Sequence, residues 1–508
     1  MNENLTQSQE DYAIYLPAVS NFYVSCMGKE ISGEGVPANR VPQHFEKGTL
    51  GLNWLTDQNS YFNYRWNLYS AGHADLEATS ATAKEQIITN RDRSTSWLLG
   101  DSGGFQVGKL VWQADWKDPN CPRAAKKRQQ VLNWMDTHMD YGMTLDIPIW
   151  IDRIPGSAEK SGISSPQEAL MATKINNDYF INNRTGACKF LNVLQGEDHT
   201  QAQEWYEGVK DYCNPKKYPN NHFNGWAMGG KNQGDPHLIL RRMAELKWSG
   251  LLEEGVHDWM HFLGISKLEW SLMFTDIQRA VRQTHNANFT ISFDCASPFL
   301  ATRNGQIYHD IVLPDVGRWS YRMYKCADDK KYSNDTRKFS DAVVQDGFYK
   351  VFQDSPVSDL YKMKDICIYK PGDLNKIGKE GKSSWDGFSY ILLKAHNVWM
   401  HITSVQEANR RYDAGEYPKM MRYSAPTQDK FEDVVERIFA APTKQESMDL
   451  IEQYANYWLE IAGTRGYTGK KARNATTMFN SLFDSEEEDI SEEPEFDFED
   501  VNDNPEEL

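Results

Sequence analysis

Short apolar runs that stop at a polar or glycine-rich turn recur along the middle of this chain. Trp97-Leu98-Leu99 precedes Gly100-Asp101, and Met143-Thr144-Leu145 precedes Asp146. Phe190 to Leu194 precedes Gln195-Gly196, and Trp226 to Met228 precedes Gly229-Gly230. Met260 to Leu263 leads into Gly264, and Phe289 to Phe293 into Asp294. Runs of this length with aromatic and β-branched members predict buried strands. Between them, Gln201 to Tyr212, Pro236 to Trp248 and Lys267 to Arg282 carry the spacing of amphipathic helices. Strands alternating with helices predict an α/β fold with a parallel sheet. Polar residues gathered at one end of successive strands narrow this to a (β/α)8 TIM barrel with insertions, where chemistry sits on the C-terminal rim. A doubly wound open sheet competes, but it places its site at one switch point instead of drawing a residue from each strand.

The barrel is expected to occupy residues 1–480, with an inserted or elaborated region at about 307–385 that is polar, weakly periodic and rich in Lys, Asp and Tyr. The apolar pattern returns at Gly387 with Phe388 to Leu393, followed by Ala395-His396-Asn397, and Ser447 to Ala462 reads as a closing helix. Residues 484–508 form an acidic tail of disordered composition.

Charge changes the picture little. The net charge is −17, but the tail holds 14 acidic residues and no Lys or Arg, so the body carries −17 + 14 = −3. That balance neither demands nor excludes nucleic acid. No stretch approaches a membrane span. No basic region followed by an apolar run opens the chain, so a secretory signal is not expected. The seven cysteines lie far apart with no CxxC pair, which fits a reduced, cytoplasmic setting, the host cytoplasm for a viral protein.

Two motifs carry candidate chemistry. Asp101-Ser-Gly-Gly-Phe-Gln106 combines a carboxylate, bare backbone and a flat aromatic. Read from the residues alone it is equally a strand-to-helix turn capped by Asp101 or Ser102. Asp294-Cys295, with Pro298 and Arg303-Asn304-Gly305-Gln306, places a second acid at a strand mouth, where an Asp often only forms a turn. Asp146, Gln195-Gly196 and Gly229-Gly230 add groups suited to a planar, hydrogen-bonding heterocycle, though each alone is an ordinary loop.

Together these motifs resemble the tRNA-guanine transglycosylases, and within that superfamily most nearly the phage and bacterial 7-deazaguanine DNA transglycosylases. The likeness runs from about residue 95 to 415 and is strongest at 98–108, 190–196, 225–230 and 292–306. It implies that Asp294 is the nucleophile at C1′ and Asp101 the general acid/base. It implies that Asp146, Gln195, Gly229 and Gly230 hold the base, that Phe105 stacks on it, and that Leu263 covers its other face. The chemistry is consistent: a carboxylate beneath C1′ stabilises an oxocarbenium-like state and then bonds to it. Two nearby carboxylates also separate their pKa values, so that one serves as acid while the other attacks.

Two departures from the family matter. The structural zinc of the tRNA enzymes uses Cys-x-Cys-x-x-Cys and a later His. Here only His396 and Cys367 match, while Asp365 and Lys370 stand where cysteines would fall, so no zinc or other cofactor is expected and His396 reads as a core histidine. The tRNA enzymes also read Pro-Thr-Arg where this chain has Pro298-Phe299-Leu300. The lost arginine favours DNA over tRNA as partner, with a free 7-deazaguanine base such as preQ0 as co-substrate. A target base in DNA must leave the stack, and cations must hold phosphates. Arg303, Lys126, Lys127 and Arg128 are the first candidates, with Arg123, Lys216-Lys217, Arg410-Arg411, Lys470-Lys471 and Arg473 beyond them, each run being equally a solvated helix face. A tRNA transglycosylase and a catalytically retired nucleic-acid-binding subunit are the alternatives. Oligomeric state is open.

Overall fold

Eight strands, all parallel, follow one another in chain order around a single sheet. They are β1 (Ile14–Pro17), β2 (Trp66–Ser70), β3 (Trp97–Asp101), β4 (Tyr141–Met143), β5 (Lys189–Leu194), β6 (Gly225–Met228), β7 (Trp259–Phe262) and β8 (Thr290–Cys295). Ser292 to Cys295 of β8 pair with Ile14 to Pro17 of β1. The β1–β2 seam is closed by a bridge between Ala18 and Leu68 and by the Val19 N–H donating to the Leu68 carbonyl at 3.0 Å. The fold is therefore a (β/α)8 barrel. This computed structural model describes residues 3–56, 59–77, 83–303, 305–325, 330–339, 355–368, 385–424 and 427–463. The acidic tail, Lys470, Lys471, Arg473, Lys370, Asn304 and much of 340–384 lie outside them.

The helices are α1 (Asn21–Ser32) after β1, α2 (Pro122–His138) after β3, α3 (Pro166–Asn183) after β4, α4 (His199–Val209) after β5, α5 (Pro236–Trp248) after β6 and α6 (Trp270–Thr284) after β7. Their starts are written in the sequence. Ser165 accepts from the Glu168 N–H ahead of Pro166, Asp198 from that of Gln201, and Asp235 from that of His237 ahead of Pro236. Each side chain satisfies an amide that the first helical turn leaves unpaired.

After β8 come α7 (Ser297–Arg303), an antiparallel hairpin of β9 (Gln306–Val312) and β10 (Ser320–Lys325), and α8 (Gly387–Asp413). Phe388 to Leu393 is thus not a returning strand but the first turns of a 27-residue helix. Buried on all sides, such a helix shows no amphipathic period, so its apolar run is indistinguishable from a strand. The closing region holds α9 (Phe431–Ala440), α10 (Lys444–Gln453) and α11 (Ala455–Gly463), so the helix expected over Ser447 to Ala462 is two, broken at Tyr454.

The lumen positions the site. Ile14, Leu16, Leu68, Leu99, Tyr141, Met143, Leu191, Val193 and Ala227 form one apolar cluster, separate from the larger core between strands and helices. At the N-terminal end Trp259 stacks on Trp97 with ring centroids 4.3 Å apart and meets Tyr141 at 5.3 Å, flooring the barrel. Side chains two apart on a strand point the same way. Asp101 follows Leu99 by two, Gln195 follows Val193, Gly229 follows Ala227 and Asp294 follows Ser292. Asp101 and Asp294, inside their strands, therefore continue the lumen rows at the C-terminal end, and Gln195 and Gly229 stand one residue beyond the ends of β5 and β6.

Candidate active site

Asp101 ends β3. Its Oδ2 accepts from the Ser70 hydroxyl, at the end of neighbouring β2, and from the Gly103 amide at 3.4 Å. Gly103 takes the left-handed conformation at φ 76°, and a Cβ there would stand 2.6 Å from the Trp112 ring. A glycine is required on both counts. Gly103 itself caps the short helix Gly104–Gly108, while Ser102 Oγ accepts from the Gly104 amide at 3.3 Å. Burial raises the pKa of Asp101, the Ser70 hydrogen bond opposes this, and the charge of Asp294 raises it further. Asp294 is thus within electrostatic reach of Asp101.

Asp294 lies inside β8 rather than beyond it and is 9 % exposed. Its Oδ1 receives two contacts: His261 Nε2 at 3.1 Å and the Gly264 amide at 3.0 Å. Cys295 points the opposite way into the core, toward Tyr15 and His401. It is a small buried residue there.

Asp146 lies in the loop after β4, three residues past the strand, because β4 spans Tyr141–Met143 and ends two residues before the apolar run does. Gln195 Nε2 donates to its Oδ2, and Ser102 Oγ approaches Oδ1 at 3.5 Å. The Gln195 Oε1 accepts from the Ile149 amide at 2.7 Å, which fixes the amide's orientation. Burial, then the charge of Asp101, pushes the Asp146 carboxyl up to about 7. A methyl group at Gly229 would lie 3.5 Å from Leu263 and 3.8 Å from Gln195, and one at Gly230 would lie 3.2 Å from the Gly196 carbonyl. Gln195, Gly196, Gly229, Gly230 and Leu263 therefore form one wall of bare backbone, amide and apolar side chain. Phe105 is half-buried, its ring 6.0 Å from Trp150.

The basic candidates separate. Lys127 Nζ lies 4.6 Å from the centre of the Trp112 ring, which itself packs against Gly103, so this cation stands beside the Asp101 turn. Lys126 is exposed and paired with Glu77 at 2.9 Å. Arg128 is a correction: it is 2 % exposed, its Nε donates to Asn176 at 2.7 Å, and it braces α2 against α3 instead of meeting phosphates. Lys217, Arg410 and Arg411 are held in local ion pairs with Asp211, Glu407 and Glu416. Arg303 is half-buried at the end of α7. Leu300 is 7 % exposed.

His396 is buried, with Nδ1 2.9 Å from Ser355 Oγ and Nε2 2.9 Å from the Tyr308 carbonyl. The burial lowers its pKa to about 4. Its neighbour Asn397 donates to the Thr302 hydroxyl and the Pro298 and Gln306 carbonyls and accepts from the Tyr308 amide. The His-Asn pair thus latches α7 and the hairpin to α8. Asp365 caps a local turn by accepting from the Lys362 amide at 2.7 Å. Among the described residues no three His, Cys, Asp or Glu side chains gather as a metal site, and no helix is long and apolar enough to cross a membrane.

Ser70, His261 and Ser292 were not evident as site residues. The available signal was parity: polar residues at lumen positions of otherwise apolar strands, where an unpartnered polar group is costly. No protein-family model and no curated protein matches the chain.

Proposed function

We propose that the chain is a DNA-guanine transglycosylase, which exchanges guanine in DNA for a free 7-deazaguanine base such as preQ0. The observation that carries this reading is that Asp101 and Asp294 both continue lumen rows at the C-terminal end of the barrel, where Gln195, Gly229, Gly230 and Leu263 build one wall. An Asp294 oxygen attacks C1′ as the C1′–N9 bond breaks, and the electron pair leaves with guanine. Asp101, its pKa raised by burial, gives the departing base its proton and later takes one from the incoming base. N9 of that base then attacks C1′ and displaces Asp294, so the two displacements retain configuration. Asp146 and Gln195 select a base that presents N–H donors, and Phe105 offers it a face.

Lys127 beside the Asp101 turn supports a polyanionic substrate, and the buried Leu300 speaks for DNA over tRNA. The test is exchange of radiolabelled guanine into duplex DNA, single-stranded DNA and tRNA, with Asp294→Ala as control. Label entering DNA and lost in the variant is the expected result. Label entering tRNA alone overturns the choice of polymer.

A further inference from the structure

Behind the Asp294 carboxylate, the lumen holds a chain of polar contacts that starts at the barrel floor. The Trp259 indole N–H donates to Ser292 Oγ at 2.8 Å, and Ser292 Oγ lies 2.9 Å from His261 Nδ1. His261 Nε2 lies 3.1 Å from Asp294 Oδ1. His261 and Ser292 are fully buried. Trp259, His261 and Leu263 follow the lumen row of β7, and Ser292 and Asp294 that of β8.

The order of donors settles the direction of this chain. An indole N–H only donates, so Ser292 Oγ accepts from Trp259. The serine proton then has one acceptor among the described residues, His261 Nδ1. Nδ1 is therefore the bare nitrogen, and Nε2 carries the hydrogen that meets the carboxylate. With the Gly264 amide at 3.0 Å, Oδ1 receives two donors. Among the described residues no donor reaches Oδ2.

From this we infer that Trp259, Ser292 and His261 are a positioning relay that ties down Oδ1 of Asp294 and leaves Oδ2 as the attacking oxygen. The inference rests on the transglycosylase reading for its chemistry. Oδ2 forms the bond to C1′ as the C1′–N9 bond breaks. When the second base displaces the ester, the His261 and Gly264 donors stabilise the departing carboxylate. Trp259 locks the tautomer from the far end of the barrel, so the floor and the rim are one device.

Two measurements test it on the full-length protein. The first is 15N–1H correlation spectroscopy of 15N-histidine-labelled protein, with the His261 signals assigned by loss in His261→Gln. The relay predicts a protonated Nε2 and an unprotonated Nδ1, with the Nδ1 resonance shifted in Ser292→Ala. A protonated Nδ1 with bare Nε2 overturns it. The second is single-turnover exchange. His261→Leu is expected to lower kcat about 10- to 100-fold, the loss of one hydrogen bond to a charged group, with KM for DNA and base unchanged. His261→Gln, which keeps an N–H at the Nε2 position, is expected to restore most of the rate. Unchanged kcat in a folded His261→Leu, or no rescue by Gln, overturns the relay. Wild-type protein that exchanges no base with any nucleic acid defeats the transglycosylase reading instead, and the tautomer then decides the relay alone.

Discussion

Asp101 at the end of β3 and Asp294 in β8 both continue lumen rows of the barrel, and the charge of the second raises the pKa of the first. Under the proposed mechanism this coupling is expected to give the two acids different tasks. Asp101→Asn, which keeps shape and removes the titration, is expected to slow base exchange about 10²- to 10⁴-fold. The coupling works through charge, so Asp294→Asn is expected to lower the pKa of Asp101, read from carboxyl carbon shifts in 13C-labelled protein. An Asp101 titration unchanged by Asp294→Asn contradicts the pairing.

Under the proposed function, Asp146 is expected to set the pH dependence of base binding. Burial and the charge of Asp101 push its carboxyl up to about 7, and a base presenting N–H donors favours the ionised form. Binding of guanine is therefore expected to release a proton near neutrality. Affinity weakens about tenfold per pH unit below that point, and in Asp146→Asn this dependence is absent. Calorimetry in buffers of different ionisation enthalpy measures the proton count directly. Binding with no proton release at pH 6 contradicts the assignment.

The same raised pKa has a stability consequence of definite sign. Between the ordinary value of 3.8 and about 7 the folded protein holds a proton at Asp146 that the unfolded chain has lost. Its contribution to stability is full at low pH, falls as pH rises through that window, and is gone above it. Asp146→Asn lacks this dependence. The melting temperature of the variant relative to wild type is expected to be higher at pH 8 than at pH 4. A difference that stays constant with pH contradicts the placement of this carboxyl.

Lys127 and Arg128 are neighbours in sequence in different surroundings, the first half-buried over the Trp112 ring and the second buried against Asn176. Lys127→Ala is expected to weaken DNA binding and to reduce the salt dependence by about one ion, a slope change of ~0.9, without lowering the melting temperature. Arg128→Ala is expected to do the reverse, because it leaves Asn176 without its partner in a buried contact and costs about 1–3 kcal/mol. Fluorescence anisotropy at several salt concentrations and thermal melts separate the two. Equal effects of both variants on the salt slope contradict this division.

The strand-end acids were legible because each Asp closes an apolar run inside a longer motif, and parity within β3 and β8 then sends both into the lumen. β1 and β2 were not, since Ile14–Pro17 is short and ends in proline, while Trp66–Ser70 interleaves Asn67 and Ser70 with apolar residues. With β2 unseen, Ser70 had no place beside Asp101. His261 and Ser292 were hidden because a polar residue within an apolar run announces nothing until strand register shows which face it takes. Arg128 misled for a related reason: in a run of cations on α2, only the helical phase against α3 tells the buried one from the exposed ones.

Mass spectrometry of the protein mixed with a guanine-containing DNA oligonucleotide, quenched and digested with protease and nuclease, tests the central claim most directly. The account predicts that the peptide containing Asp294 carries the mass of an abasic deoxyribosyl ester, that free guanine appears in equal amount, and that Asp294→Asn yields neither. An ester on Asp101, or guanine released with no adduct at Asp294 under rapid quench, would contradict it.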